Sequence, residues 1–264
     1  MKKGDTKKGD TKKGDTKKGD TKKGYGQYCP LALAAETLCQ RWKILVVSRV
    51  LEGCSTFNEI HRGVPRISPS MLSKRLTELE EVGIIVRRPS STNGGATYVP
   101  TEAGRDLGGI IRDVAIWGRY WARDMTIDDL DPGFLAWGMH TRLDAEKMPP
   151  GRTVLEFDFS GAPEGAHRFW LLSEDGKVDM CLKHPGYETD LLIEGDIRTF
   201  VECWRGLRDL QSEIYRRTIK LTGPRELKRA FPNWLMFSLQ ATYDRKRPGK
   251  EQTLYRRKAD LIDA

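Results

Sequence analysis

The sequence predicts an α+β protein with a mainly helical N-terminal domain and a C-terminal domain of strands and helices. Between residues 31 and 124 most apolar side chains recur every three or four positions, the spacing of one helix face, interrupted by one predicted hairpin. From Leu155 to Phe159 they alternate with acidic residues instead, which is typical of a half-buried strand. The Pro- and Gly-rich segment Met148–Gly151 marks the change of period, and 264 residues are ample for two domains.

Residues 1–24 repeat the sequence KKGDT and contain no apolar residue after Met1. They hold ten lysines and four aspartates, so the net charge of +8 falls to +2 over residues 25–264. We therefore expect a disordered, cationic arm. It is either a weak attractor of DNA phosphate or a tandem expansion without a role, and the second interpretation is favoured because composition alone supports only weak electrostatics.

The composition excludes several classes of protein. No apolar stretch follows the basic N-terminus, and none approaches the roughly 20 residues of a membrane helix, so we expect no secretory signal, no membrane span and a cytoplasmic location. Five cysteines without a CxxC pair indicate reduced thiols. The four histidines lack metal-ligand spacing and no catalytic constellation is recognisable, so we predict no metal, no cofactor and no enzymatic activity.

Four helices, a two-stranded hairpin and a fifth helix are predicted in the N-terminal domain. Ser68 followed by Pro69 is a helix cap with proline at the first helical position. A polar loop containing Asn93 separates the two strands. In chain order the predicted elements are helices Leu31–Leu38 and Trp42–Leu51, a short helix capped by Ser55 or Thr56, helix Ser68–Val82, strands Ile84–Arg88 and Thr97–Pro100, and a helix from Thr101 to about Asp124.

This order is that of a winged helix-turn-helix, and its fourth helix has the two faces that DNA reading requires. Leu72, Leu76 and Leu79 share one face and polar residues occupy the other, as a helix inserted in the major groove needs. A helical bundle with a solvated charged face is the alternative. The net charge of +1 over residues 26–130 does not distinguish a DNA-binding domain from such a bundle. The candidate DNA contacts combine base-reading side chains, phosphate-binding arginines and a wing-tip amide: Arg66, Ser68, Ser70, Ser73, Lys74, Thr77, Arg87, Arg88 and Asn93.

Five motifs of this region stand in a recognisable order: YCPLA at 28–32, RWKIL at 41–45, FNEI at 57–60, ISPSMLSKRL at 67–76 and YVPTEAG at 98–104. From Tyr28 to Ala122 the chain resembles the HxlR family of bacterial winged helix-turn-helix transcription regulators. It departs from that family at Pro100 and in the acidic bias of Glu78, Glu80 and Glu81. The resemblance implies double-stranded DNA as a partner and a homodimer built by the first and last helices of the domain. Its interface would comprise Leu31, Ala34, Ala35, Leu38, Ile110, Ile111, Trp117, Tyr120 and Trp121.

Cys29 precedes Pro30 at a predicted helix N-terminus, where the helix dipole favours a thiolate. In some members of the resembled family a cysteine at this position senses oxidants or electrophiles. A small residue packed at a dimer seam is the favoured alternative, because no partner group for the thiol can be identified. The other cysteines are expected to be inert packing residues: Cys39, Cys54, Cys181 and Cys203.

The C-terminal half predicts four strands, two amphipathic helices, a short strand and a last helix that Pro232 should kink or split. Asp175-Gly176 is a two-residue hairpin turn. From Gly151 to Thr242 this layout resembles the sterol carrier protein domain, which implies an apolar tunnel for a lipid-like or other hydrophobic ligand. Each large apolar residue by itself is ordinarily a core residue, although together they could line a cavity: Phe157, Phe159, Phe169, Trp170, Met180, Phe200, Trp204, Phe231 and Trp234.

We therefore predict a homodimeric, sequence-specific DNA-binding transcription regulator whose C-terminal domain binds a hydrophobic effector or contributes to assembly. A lipid carrier that uses its N-terminal domain only to dimerise, and a redox-sensing regulator acting through Cys29, are the alternatives. An enzyme using the C-terminal cavity is disfavoured. The predicted segments are a disordered repeat (1–24), the winged helix-turn-helix domain (25–125), a linker (126–150), a sterol-carrier-like domain (151–244) and a basic tail (245–264).

Overall fold

The computed structural model describes residues 24–89, 95–162, 167–237 and 246–247. The lysine-rich repeat up to residue 23, the tip of the predicted wing and most of the basic tail lie outside the described residues. The chain divides after Gln40 into two compact units, and each is described by itself. Within the described ranges, no helix is both long enough and apolar enough to cross a membrane.

Helix α1 (Pro30–Leu38) belongs to the first unit and begins where the sequence predicts. Cys29 is its N-cap residue, and proline occupies the first helical position. The backbone amide of Tyr25 donates a hydrogen bond to the Glu36 carboxylate over 2.6 Å, which fastens the preceding segment to the helix. None of the helical residues is buried, and Leu31 keeps 77% of its surface exposed. The apolar side of α1 is therefore available to another surface.

The second unit begins with the helices and hairpin predicted for a winged helix-turn-helix, and every bound that the sequence predicts is met within three residues. The elements are α2 (Lys43–Leu51), α3 (Phe57–Gly63), α4 (Pro69–Glu81), β1 (Ile85–Pro89), β2 (Ala96–Pro100) and α5 (Glu102–Trp121). Thr56, rather than Ser55, caps α3: its hydroxyl accepts from the Glu59 amide over 3.2 Å, and the Glu59 carboxylate accepts from the Thr56 amide over 2.9 Å. This reciprocal capping box satisfies two otherwise unpaired amides.

The TEAG motif at 101–104 joins α5 to the end of α4. The Thr101 hydroxyl donates to the Gly83 carbonyl over 2.6 Å and accepts from the Gly104 amide over 3.2 Å. Position 104 requires glycine, because the Cβ atom of any other residue would collide with the carbonyl oxygen of Ile84. The long helix is thereby held against the first strand of the hairpin.

Residues 126–150, predicted as a linker, are instead part of the folded core. They contain helix α6 (Pro132–His140) and two 3-10 turns, Ile127–Asp129 and Ala145–Lys147. The run of Asp, Pro and Gly before α6 resembles interdomain punctuation, but it supplies the Asp131 cap and the first turn of the helix. The linker prediction does not describe this segment, because its apolar residues are buried with those of the C-terminal sheet: Leu130, Leu135, Ala136, Met139, Leu143 and Met148.

Over the described residues the C-terminal sheet has five strands in the order β5-β4-β3-β6-β7, with β3 and β6 parallel and the other neighbours antiparallel. Two helices connect β6 to β7, and a third follows β7, as predicted. Pro232 lies in a 3-10 turn that ends this third helix, which confirms the predicted split. The elements are β3 (Thr153–Ser160), β4 (Arg168–Glu174), β5 (Lys177–Cys181), β6 (Leu191–Asp196), α7 (Ile197–Trp204), α8 (Leu210–Tyr215), β7 (Ile219–Thr222) and α9 (Arg225–Ala230).

Five phenylalanines of this domain pack on one another in its interior: Phe157, Phe159, Phe169, Phe200 and Phe231. The ring of Phe157 lies 4.7 Å from that of Phe169 and 6.2 Å from that of Phe231, measured between centroids. The ring centroid of Phe200 lies 4.9 Å from that of Phe159, and all five rings are at most 1% exposed. Aromatic pairs at these separations are in contact and add to the stability that burial provides. These side chains therefore occupy the interior as core.

We expect Phe157→Ala to lower the free energy of unfolding by about 3–5 kcal/mol, since it removes a fully buried ring and leaves a cavity. Urea unfolding followed by circular dichroism measures the change. Tyr215→Ala is the matched control: this ring is 90% exposed, so its removal should change stability by at most about 0.5 kcal/mol. Equal losses for the two variants would contradict the packed core.

Candidate nucleic-acid interface

Helix α4 is anchored by its leucines and begins at a capped N-terminus. Leu72, Leu76 and Leu79 are at most 1% exposed, and they fall on one face because they follow the helical repeat. The Ser68 hydroxyl accepts a hydrogen bond from the Met71 amide over 3.3 Å, and Pro69 occupies the first helical position. The cap predicted from the sequence is thus present, and it fixes where the helix starts.

The opposite face of α4 presents polar side chains to solvent. Ser70, Ser73, Lys74 and Thr77 are all exposed. The Thr77 hydroxyl donates to the Ser73 carbonyl over 3.2 Å, so its proton is engaged within the helix while its oxygen can still accept. The hydroxyls of Ser68 and Ser70 lie 3.2 Å apart. This face combines a cation with small hydroxyls, which are side chains that can contact base edges.

The C-terminal half of α4 is tied to α2 by an ionic network that the sequence analysis did not identify. A carboxylate oxygen of Glu78 lies 2.6 Å from a guanidinium nitrogen of Arg75 and 3.3 Å from the ammonium of Lys43. Lys43 is only 3% exposed, and Arg75 also donates to the Arg41 carbonyl over 3.0 Å. Glu78 is therefore neutralised within the protein, which removes the like-charge repulsion that this carboxylate would exert on DNA.

Arg66, a predicted phosphate contact, is paired with a residue of the C-terminal half of the chain. Its Nε atom donates to the Asp131 carboxylate over 3.0 Å, and half of the Arg66 side chain is exposed. The other oxygen of the same carboxylate accepts from the Phe134 amide over 3.0 Å and so caps α6. Asp131 therefore connects the turn before α4 to the first turn of α6.

The predicted wing arginines lie on β1, but their side chains leave the hairpin on opposite faces. Arg87 and Arg88 are both exposed and are consecutive in the strand. Arg87 pairs in register with Tyr98, and Arg88 pairs with Thr97. A single DNA surface on one side of the hairpin could therefore meet one of the two arginines directly. Asn93, the predicted wing-tip contact, lies outside the described residues.

Helix α6 packs against the helix-turn-helix at Gly63, the last residue of α3. A Cβ atom at Gly63 would lie 3.1 Å from Cε2 of Trp137 and 2.5 Å from Cδ of Arg49, so glycine permits this close approach. Trp137 is 5% exposed. The sequence analysis missed Asp131 and Trp137 as residues that contact the helix-turn-helix because it placed them in a linker. The capping pattern Asp131-Pro132 was the available signal.

The five cysteines are free and differ in environment. Cys29 is exposed, and so is Cys39, which contradicts the packing role expected of Cys39. Burial raises the pKa of the Cys54 and Cys203 thiols to about 11, and it also raises the pKa of Cys181. Among the described residues no cluster of His, Cys, Asp and Glu side chains could hold a metal ion.

Comparison with known proteins assigns this region. Residues 37–126, about a third of the chain, match the family model described as HxlR-like helix-turn-helix. YvaP of Bacillus subtilis, named an uncharacterized HTH-type transcriptional regulator, is 32% identical over 111 residues, which span 41% of this chain and 95% of YvaP. The HTH-type transcriptional regulator YodB of Bacillus subtilis is 33% identical over 91 residues, which span 34% of this chain and 81% of YodB.

Solved structures also resemble part of the chain. The reduced form of YodB from B. subtilis covers 35% of this chain and 92% of its own, with 31% identity and a TM-score of 0.31. The redox regulator HypR in its oxidized form covers 37% of this chain and 100% of its own, with 32% identity and a TM-score of 0.34. The sterol-carrier-like assignment of the C-terminal domain is supported by none of these matches.

We expect Cys54 and Cys203 to resist alkylation by iodoacetamide near neutral pH. A pKa of about 11 leaves roughly 100-fold less reactive thiolate than an unperturbed cysteine has, and burial restricts access further. Cys29 and Cys39 should be modified first, as followed by mass spectrometry of tryptic peptides. In urea all five thiols should react at similar rates. Modification of Cys54 or Cys203 in the folded protein as rapidly as Cys29 would contradict the environments described.

Proposed function

This chain belongs to the HxlR-like helix-turn-helix family of transcription regulators, and from that premise we propose that it binds specific double-stranded DNA as a homodimer. The observation that carries the proposal is the exposed polar face of α4 above its buried leucines. A helix with that division can enter the major groove while it remains fixed to the domain. Its DNA target would place its action in the cytoplasm.

In this proposal α4 reads bases and the flanking arginines bind phosphate. Ser70, Ser73 and Lys74, with the hydroxyl oxygen of Thr77, would face base edges, and Ser68 would start the helix at the groove. The amide-rich N-terminus of α4 carries the positive end of the helix dipole, which suits it to the DNA backbone. Arg66 and Arg88 would contact phosphate, and Arg87, on the opposite face of the hairpin, would contact phosphate on the other side of an inserted wing. Asn93 would enter the minor groove from the wing tip.

The homodimer is supported by an apolar stripe along α5. Ile110, Val114, Trp117 and Trp121 repeat at helical spacing, and each is between 45% and 62% exposed. Contiguous exposed apolar surface of this kind marks protein–protein contact. Ile111 and Tyr120, which the resemblance also implied at the interface, are half-buried. We propose that α5 pairs with its counterpart in a second copy, and that the open apolar side of α1 contributes.

A redox-sensing regulator is a second candidate, favoured by the exposure of Cys29 at the start of α1. In that case an oxidant would alter DNA binding, and Cys29→Ser would abolish the response. We retain the regulator without redox control as the main proposal, because the exposure of one thiol at a helix start does not by itself indicate an oxidant sensor.

The C-terminal domain is proposed to bind a hydrophobic effector that controls the DNA-binding domain. The contacts of α6 support this proposal, because α6 shares a core with the C-terminal sheet and also contacts the helix-turn-helix at Gly63 and Arg66. A ligand can shift DNA affinity only if it prefers one arrangement of these helices to another.

We expect Lys74→Ala to weaken binding to the specific site by about 1–3 kcal/mol and to affect a random duplex less, since a base contact carries sequence information. Arg88→Ala should weaken both duplexes equally. The site is first obtained by selecting genomic fragments bound by the full chain, and affinities are then measured by fluorescence anisotropy.

Lys220→Ala is the control for that experiment, because it removes an exposed lysine from β7 in the C-terminal sheet. It should leave both affinities unchanged. The proposed division between base and phosphate contacts is wrong if Lys74→Ala and Arg88→Ala lose the same affinity on both duplexes.

We expect Trp117→Glu to convert the dimer into a monomer, because it places a charge in the middle of the apolar stripe. Light scattering after size-exclusion chromatography measures the mass. Arg112→Gln changes the net charge of α5 by the same single unit at a residue outside the stripe, so it should remain dimeric. A wild-type chain that is monomeric at the concentrations used for DNA binding would overturn the proposed dimer.

A further inference from the structure

The ion pair between Arg66 and Asp131 joins the turn before α4 to the first turn of α6. The Nε atom of Arg66 and a carboxylate oxygen of Asp131 lie 3.0 Å apart. We propose that Asp131 restrains DNA binding, because its carboxylate competes with DNA phosphate for the Arg66 guanidinium. The inference rests on the proposed function and adds to it a contact through which the C-terminal half of the chain lowers DNA affinity.

Arg66 is the candidate phosphate contact that already has an acidic partner. Among the described residues, Arg87 and Arg88 of the hairpin form no ion pair, and neither does Lys74 of α4. Half of the Arg66 side chain is exposed, so phosphate can reach it. A guanidinium forms charge-assisted hydrogen bonds with carboxylates and phosphates alike. The two anions are therefore rivals for the same cation.

Asp131 cannot follow Arg66 towards DNA, because its other carboxylate oxygen caps α6. That oxygen accepts from the Phe134 amide over 3.0 Å, and Leu135 and Met139 of the same helix are buried in the C-terminal core. If Arg66 stays paired, a phosphate has to approach a fixed negative charge. If Arg66 turns to the phosphate, the attraction of Asp131 is lost. Both courses weaken DNA binding.

Packing, rather than the ion pair, sets the distance between α6 and the helix-turn-helix. A Cβ atom placed on Gly133 would lie 3.9 Å from Cβ of Pro65. One placed on Gly63 would lie 3.1 Å from Cε2 of Trp137. Exposed ion pairs contribute little to stability. Removing the charge of Asp131 should therefore free the arginine and leave the fold in place.

The test compares the DNA affinity of the full wild-type chain with that of Asp131→Asn, by fluorescence anisotropy on the selected site and on a random duplex. Asparagine caps helices as well as aspartate does, so the bond from the Phe134 amide is kept while the charge is lost. We expect about threefold tighter binding for each subunit on DNA, hence about tenfold for the proposed dimer. Both duplexes should gain alike, because phosphate carries no sequence information.

Two comparisons separate competition for Arg66 from a general change of charge. Asp128→Asn removes the same charge from an exposed residue that lines the same groove as Arg66 but forms no ion pair with it among the described residues. It should change affinity by less than about 1.5-fold, since salt screens charges that are not in contact. In the Arg66→Gln background, Asp131→Asn should gain no more than Asp128→Asn does.

The sign of the effect distinguishes this role from a purely structural one. A variant that disturbed α6 would bind DNA more weakly, whereas the loss of a competitor strengthens binding. Asp131→Ser supplies a second uncharged cap and should reproduce the gain. Circular dichroism of each variant checks that it is folded.

The competition is refuted if Asp131→Asn binds DNA no more tightly than Asp128→Asn. A gain that persists together with Arg66→Gln would refute it as well, because the arginine is then not the group that is freed. In both cases the wild type still binds its selected site, so the proposed function stands. A chain that bound neither duplex in any of these forms would overturn the proposed function and the restraint together.

Discussion

The burial of three leucines on one side of α4 determines where the rest of the candidate DNA surface lies. Leu72, Leu76 and Leu79 are almost fully removed from solvent, and burying each contributes about 1.5–3 kcal/mol. Since a helix cannot rotate without exposing them, the face with Ser70 and Lys74 is held outward. The Ser68 cap fixes the start of the helix, and the Glu78 network fixes its end against α2.

The N-terminal elements could be predicted because local rules and tertiary packing agree there. Ser68-Pro69, Thr56 with Glu59, and Thr101 before α5 all cap the helices that the apolar spacing indicates. What the sequence could not reveal is long-range pairing. Lys43 with Glu78, and Arg66 with Asp131, join residues that are distant along the chain, and no periodicity predicts which charges will meet. The placement of exposed side chains on DNA stays a prediction.

The C-terminal strands and helices could equally be predicted from the spacing of apolar side chains and from turn residues. That residues 126–150 fold into the core could not. A cap followed by proline and glycine has the same composition as a loop, and α6 is apolar all round rather than amphipathic, because it is buried between the sheet and the helix-turn-helix. Trp137 of α6 lies so close to α3 that the facing residue, Gly63, has no room for a Cβ atom.

The Arg66–Asp131 pair also has a thermodynamic consequence for how the protein responds to ionic strength. Duplex DNA surrounds itself with condensed cations, and each phosphate neutralised by a protein side chain releases about 0.9 of them into solution. While Asp131 holds the Arg66 guanidinium, that charge is already compensated and displaces none. In the proposed DNA complex, a chain with the pair intact would displace about 0.9 fewer cations at this position, so its affinity would fall less steeply as salt rises than that of a chain in which the pair has opened.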